Sequence, residues 1–388
     1  TATIRPLLHL YNMYNWKRIL LQRHHILWNR FSTMASSETV IPRDEMHAFI
    51  VRCMEKVGTK PDHAQVLADL LVAADYRGHY SHGLNRLDMY VRDIESKICV
   101  SDAEPKIAKE TAATALVNGN NVLGPVIGKF CIDIAIKKAK EAGIGWVSAN
   151  GSNHFGIAGW YSIRAMEQGL IGLAFTNTSP LMVPTRGKTP ILGTNPLSCA
   201  AAANNGDSFV LDMATTAVAL GKLELNERKG LEIPLGWGCD SSGKATKNPS
   251  EATGLMPLGG TEECSGYKGY GLAMMVEVFC GILAGANFGS NVRRWKTTER
   301  EANLGQCYIA IDPSAFAPGF SDRLTELITT LRNLEPAAGE TEVLVAGDPE
   351  RKHMTECDKL GGIPYHENQV KFANDLASKL EVAPPKTL

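Results

Sequence analysis

Net charge is nearly absent from this 388-residue chain: 40 lysines and arginines stand against 41 aspartates and glutamates. That balance offers neither a polyanion-binding face nor a membrane-hugging one, so no nucleic acid partner is expected. Its nine cysteines are scattered without a C-x-x-C pair, which reads as reduced thiols inside a cell rather than a disulfide framework. Close histidine pairs are limited to His24/His25 and His79/His82, and no metal site is expected from that spacing. H-E-x-x-H, the Walker pattern, the G-x-S-x-G elbow and G-x-G-x-x-G are all missing. Zincins, P-loop enzymes, serine hydrolases of the elbow type and ordinary Rossmann sites are therefore set aside. Acidic residues are missing from the first 37 positions, which carry Arg5, Lys17, Arg18, Arg23 and Arg30. This start is expected to be a mitochondrial presequence, or else a leader upstream of Met34, and to stand outside the fold. The expected compartment is the cytoplasm, or the mitochondrion if the presequence is genuine.

What is present, 44% hydrophobic and 21% charged residues, suits one large or two moderate globular domains. Met46, Phe49, Ile50, Cys53 and Val57 recur at helical spacing. Leu67, Leu70, Leu71 and Ala74 do so after Asp62, which is expected to be an N-cap. Ser81 is expected to cap a third helix with Leu84, Leu87, Val91 and Ile94 on one stripe and His82, Arg86 and Tyr90, four apart, on another. Such a polar stripe is usually a solvated face, yet these three types also suit a grip on a carboxylate beside a reacting carbon. From about position 112, β-branched runs at 115–118, 145–149, 172–176 and 209–212 alternate with helices expected over 124–142 and 159–168, which indicates an α/β core. The apolar stretch 269–289 is long enough for a membrane span, but Glu277 in its middle favours a helix buried in the protein or at a subunit interface. A charged linker over 290–304, a strand over 307–311, a helix over 321–333, a strand over 342–345 and a helix over 369–379 complete the reading.

Loops after strands are where α/β enzymes hold ligands. His154, in Gly151-Ser-Asn-His-Phe-Gly156, can exchange a proton near neutral pH, although a lone loop histidine more often satisfies carbonyl groups. The loops 176–180 and 192–196 offer hydroxyls, amides and backbone N–H groups to phosphate or ribose oxygens. Asp212 can accept from a ribose hydroxyl, or cap a helix.

Taken together, Arg77-Gly-His-Tyr-Ser81-His-Gly, Ser152-Asn-His-Phe-Gly156, Gly193-Thr-Asn-Pro196, Asp212-Met-Ala-Thr215, Pro257-Leu-Gly-Gly260 and Lys268-Gly-Tyr-Gly271 resemble the type 2 malate/L-lactate dehydrogenase family. Each motif is weak alone; their order over roughly 42–379 is specific. The resemblance implies a homodimer with a helical N-terminal region over 38–115, joined by 290–388 packing back on it. It implies a mixed-sheet nicotinamide domain of non-Rossmann topology over 116–289. It makes His82 and His154 the acid/base candidates, places Ser81, Arg86 and Tyr90 near the substrate, and makes Thr178, Asp212, Met213, Ala214, Lys268, Gly347, Asp348 and Glu350 cofactor contacts. Departures from the family pattern are Tyr80, Asp88, Asp348 and an insertion at 261–265 before Lys268.

The expected activity is hydride transfer between NAD (or NADP) and a small 2-hydroxy or 2-oxo acid, most simply malate. Reduction of a cyclic imino acid is the alternative within enzymes, and a non-catalytic nicotinamide-binding protein the alternative outside them.

Overall fold

The computed structural model describes residues 38–294, 297 and 300–388; the expected leader over 1–37 and Lys296 of the expected linker lie outside the described residues. The chain opens with β1 (Thr39–Ile41), α1 (Arg43–Lys56), α2 (Pro61–Tyr76) and α3 (Leu87–Glu95). Next come β2 (Lys106–Glu110), β3 (Thr114–Asn118), α4 (Gly124–Ala142), β4 (Ile144–Ser152), α5 (Gly159–Met166), β5 (Ile171–Thr176), β6 (Leu197–Ala202) and β7 (Ser208–Met213). After α6 (Leu220–Arg228) and the short β8 (Gly238–Cys239), β9 (Ala245–Thr246) and β10 (Gly254–Leu255), α7 spans Gly266–Glu277. The last elements are β11 (Leu304–Ile311), α8 (Phe320–Arg332), α9 (Asp348–Leu360), β12 (Ile363–Tyr365) and α10 (Glu367–Leu380).

Seven strands form the main sheet in the order β2-β3-β4-β11-β5-β6-β7. Its single parallel pair is β3/β4, connected through α4; the other neighbours run antiparallel. Strand β11, from the far side of residue 289, runs buried between β4 and β5, so the sheet crosses the boundary drawn at 289. The bounds of α4 follow from its ends: Pro125 needs no N–H partner in the first turn, and Gly143, at φ +81°, adopts the left-handed turn that closes the last one. On the N-terminal side α1 buries Met46, Phe49, Ile50 and Cys53, and α2 buries Leu67, Leu70, Leu71 and Ala74, in one core with α4. C-terminal elements return to these helices: β12 pairs with β1, and the Tyr76 hydroxyl donates to Asp358 on α9.

Several expectations are corrected. Lys60, not Asp62, is the N-cap of α2, because Pro61 opens the helix; Asp62 sits in the first turn, where its charge favours the helix terminus. Ser81 caps nothing: the chain enters α3 through a 3-10 turn, Leu84–Arg86. Residues 342–345 form no strand, because Asp348 Oδ2 captures the Val345 N–H at 2.7 Å and the chain turns into α9. Glu277 explains itself by partners: 4% exposed, it accepts from Asn177 and Asn195 side chains at 3.1 and 2.7 Å and from Gly289 N–H at 2.9 Å. Among the described residues no helix is long and apolar enough to cross a membrane. All nine cysteines are free thiols.

Candidate active site

The site begins where α2 stops. Gly78, at φ +83°, turns the chain, and His79 N–H and Gly78 N–H return to the carbonyls of Ala74 and Asp75. Within this turn the Ser81 hydroxyl meets His82 Nδ1 at 2.8 Å, and Arg86 Nε donates to the Ser81 carbonyl at 2.6 Å. Leu84, Leu87 and Val91 are buried behind it. His82, Arg86 and Tyr90 are therefore not a solvated helix face. His82 lies on the turn, Arg86 at the junction, and Tyr90 on α3, only 2% exposed.

The second half of the site is the loop leaving β4. Buried Asn153 donates to Asn121 Oδ1 and the Val122 carbonyl, both at 2.9 Å, and its own carbonyl receives Gln306 Nε2 at 2.9 Å. Ser152 and Tyr308 hydroxyls both donate to Gln306 Oε1 at 2.8 Å, so β11 anchors the loop from below. A buried network of this kind, in which Asn153 Oδ1 alone goes without a partner, favours one conformation of the loop. It brings His154 to Tyr90, whose hydroxyl lies 2.6 Å from His154 Nδ1, and stacks its ring against His82, centroids 5.9 Å apart and planes at 16°.

Burial holds both histidines below their ordinary range. His82 falls to about 4, with Arg86 and His79 adding to the effect; His154 falls well below its usual value through burial, then His82 and Arg86. Each is neutral at pH 7 and able to take a proton, while Arg86 discourages the charged form. An anionic ligand seated on Arg86 would remove that opposition.

A cleft of about 270 Å³ is lined by Val210, Leu211 and Asp212 of β7 and by Leu344, Val345, Ala346, Gly347, Pro349 and Glu350; Glu350 on its edge lies 3.6 Å from His79, in the same turn as His82. Asp212 Oδ2 accepts from the Gly159 N–H at 2.7 Å, so it serves the start of α5 and caps no helix of its own. Burial pushes this carboxyl up to about 7 and Glu350 adds to it, against Gly159 N–H and Arg77. Gly347 stands at φ +100°, and a Cβ there would fall 2.9 Å from Arg351. Asp348 points away from the cleft: Arg332 and Arg351 reach its Oδ1 at 2.7 and 2.6 Å, and Arg332 also clasps Asp207. Burial alone would raise Asp348; Arg332, the Val345 N–H and Arg351 outweigh it and bring it down to about 2. Aliphatic side chains interleaved with two carboxyls fit a nicotinamide nucleotide, whose rings need apolar faces and whose ribose hydroxyls need acceptors.

Of the residues expected from sequence, Asp212, Gly347 and Glu350 share this cleft. Thr178 is not among the residues that line it: its hydroxyl meets that of Thr194 at 3.2 Å, and Thr215, just beyond Met213 and Ala214, donates to the Thr194 carbonyl at 3.0 Å. Lys268 is exposed on the first turn of α7 after the 261–265 insertion, where Glu262 pairs with Arg186. Tyr80 donates to the Pro364 carbonyl at 2.8 Å, and Asp88 pairs with Arg92, so neither departure enters the site. Unassigned in the sequence were Arg77, whose charge acts on Asp212 and Glu350, and His79, 3.6 Å from Glu350. The motif Arg77-Gly-His contained both, but only the fold sets it beside the cleft. Asp62, His63 and Glu104 form a ligand-type cluster among the described residues, but Lys60 already neutralises Glu104.

The family model described as malate/L-lactate dehydrogenase matches residues 41–372. The chain is 39% identical over 348 residues to a malate dehydrogenase of Pyrococcus abyssi, spanning 88% of this chain and 95% of that one. It is 36% identical over 348 residues to a malate/(S)-sulfolactate dehydrogenase of Methanothermus fervidus, spanning 88% and 98%. The solved structure of malate dehydrogenase from Pyrococcus horikoshii OT3 superposes with a TM-score of 0.82 at 35% identity, covering 89% of this chain and 97% of that one.

Proposed function

The chain belongs to the malate/L-lactate dehydrogenase family, and from that premise we propose that it interconverts a small 2-hydroxy acid and its 2-oxo acid, with malate the first substrate to test. The observation that carries the reading is the meeting of two neutral histidines and an arginine, linked through the His79–Glu350 contact to a cleft edged by Asp212 and Glu350. When bound, a nicotinamide nucleotide supplies the hydride acceptor or donor.

The chain's own groups do the rest. Arg86 pairs with the substrate carboxylate, which sets the neighbouring carbon and its oxygen between the two imidazoles. His154 takes the hydroxyl proton, and His82 polarises the same oxygen. Tyr90 holds the His154 ring at Nδ1, Ser81 holds His82, and the buried network around Asn153 keeps the loop from turning away. Asp212 and Glu350 would hold the cofactor's ribose, with Thr178, Met213, Ala214, Gly347 and Lys268 completing its surroundings and Asp348 bracing the wall. In this reading the antiparallel-rich sheet is a nicotinamide-binding sheet of non-Rossmann topology.

The same reading takes the chain as a homodimer. Met274, Met275, Val278 and Ile282 are exposed in succession along α7 and the π-helical turn Val278–Ile282 after it, an apolar stripe that monomers seldom leave open.

Absorbance of reduced nicotinamide decides the matter, with NAD or NADP offered against malate, lactate, sulfolactate and ureidoglycolate. Turnover with one acid is the expected result. Silence in both directions with the cofactor bound would move a cyclic imino acid to the front.

A further inference from the structure

Asp75 is a carboxyl that this chemistry does not use. It lies in the last turn of α2, fully buried, and its Oδ2 accepts from the Leu84 backbone N–H and from the Tyr365 hydroxyl, each at 2.9 Å. Both donors are uncharged, and Oδ1 is buried without a hydrogen-bond partner. A carboxyl in such surroundings is costly to fold, and burial pushes it up to about 7 despite both bonds.

The placement gives the reason for tolerating that cost. Leu84 opens the 3-10 turn Leu84–Arg86, and Tyr365 ends β12, so one oxygen ties the turn to the C-terminal strand. Tyr80 repeats the tie one residue earlier through the Pro364 carbonyl. Gly83 lies so close that a Cβ there would fall 1.9 Å from Asp75 Oδ1. Between Gly83 on one oxygen and Leu84 on the other, the segment carrying Ser81, His82 and Arg86 has no room to slide.

We propose that Asp75 is a positioning residue of the active site, seating the 81–86 turn so that His82 faces His154 with Arg86 beside both. The proposal rests on the site as read above. Its test compares Asp75→Ala and Asp75→Asn with Tyr365→Phe, which removes a bond to the same oxygen but leaves Leu84 held. Asp75→Ala should lower kcat/KM roughly 100-fold, the scale of a misplaced catalytic group, with the nicotinamide Kd unchanged. Asp75→Asn, which keeps an acceptor for Leu84, should recover most of the loss, and Tyr365→Phe should lower Tm while sparing kcat/KM. Should Asp75→Ala not fold, Gly83→Ala displaces the same turn and should reproduce the loss.

A readout independent of turnover is the histidine side-chain NMR titration. His82 should move toward an exposed histidine's pKa in Asp75→Ala or Gly83→Ala and stay put in Tyr365→Phe. Equal losses in the Asp75 and Tyr365 variants, or an unmoved His82 titration, would reduce Asp75 to scaffold and overturn the proposal. A wild type inert toward every acid would fail the functional reading alone, since the titration still reports on Asp75.

Discussion

The two walls of the site are built by different physics. On the side proposed for the substrate, the 77–90 segment is held by burial and chiefly by hydrogen bonds from uncharged donors: Leu84 and Tyr365 to Asp75, Tyr80 to Pro364, Tyr90 to His154. On the cofactor side, the 344–350 segment has one backbone bond to β7, from Val210 N–H to the Ala346 carbonyl. It is clamped instead by the ion pairs of Arg332 and Arg351 with Asp207 and Asp348. The first wall excludes water and keeps two imidazoles neutral. The second keeps an open cleft in shape with side chains that solvent and salt still reach.

Removing His154 gives the deepest break on the substrate side. His154→Ala should lower kcat by about 1,000-fold, within the usual range for general acid–base groups, while a fluorescence titration finds nicotinamide affinity unchanged; lost affinity with intact turnover per bound cofactor would sink the role given to it. Next in size, Arg86→Gln should raise KM for the hydroxy acid about 50-fold, the worth of a charge-assisted contact, and leave kcat nearly alone at saturation. Steady-state kinetics separate these two outcomes.

The cofactor wall should break the other way. Asp348→Ala leaves Arg332 and Arg351 sharing only Asp207, which Arg351 reaches no closer than 3.9 Å. It should weaken nicotinamide binding about tenfold and lower stability by about 1–3 kcal/mol, with KM for the acid little changed. Added salt should weaken cofactor binding to the wild type and much less to the variant, measured by titration at low and high ionic strength.

Smallest is the effect of acid. His82 is depressed in the fold, so the unfolded chain binds its proton first. The stability it contributes is full above about 6.5 and is lost as pH falls through about 4. Asp348 is also depressed, and its contribution is lost only from about 3.8 down through about 2. Asp75 has the opposite sign: raised to about 7, it contributes most below 3.8 and loses that contribution as pH rises toward 7. Thermal unfolding against pH should therefore show His82→Gln gaining on the wild type between pH 6.5 and 4, by on the order of 2 kcal/mol, and Asp348→Asn gaining only below that. A His82→Gln profile parallel to the wild type would contradict a buried neutral His82.

How far each part could be read in advance follows from what generates it. Helix α4 was readable to both ends because its signals, Pro125 and Gly143, are local. Strand β6 was not, because Leu-Ser-Cys-Ala-Ala-Ala has no β-branched residue and pairs only because β5 and β7 flank it. Residues 342–345 carried strand composition and became a loop through one carboxylate three positions on. Helix α9 carries only two buried side chains, Asp348 and Cys357, too thin a stripe for periodicity to reveal.

In the site itself, the sequence alone determined which chemistry was available: His82, Arg86, Tyr90 and His154 are the right types, and their motifs pointed to one family. Local order also placed His82, Arg86 and Tyr90 near one another, since residues a few apart must be neighbours. Only the tertiary structure decided that His154 stacks on His82, that Asp212 serves the start of α5, that Asp348 braces the cleft rather than lining it, and that Asp75 seats the turn. Each of those depends on contacts between residues 16 to 290 positions apart along the chain, and no periodicity carries information across such distances. Burial sets the protonation of these groups, and burial is a property of the packed whole.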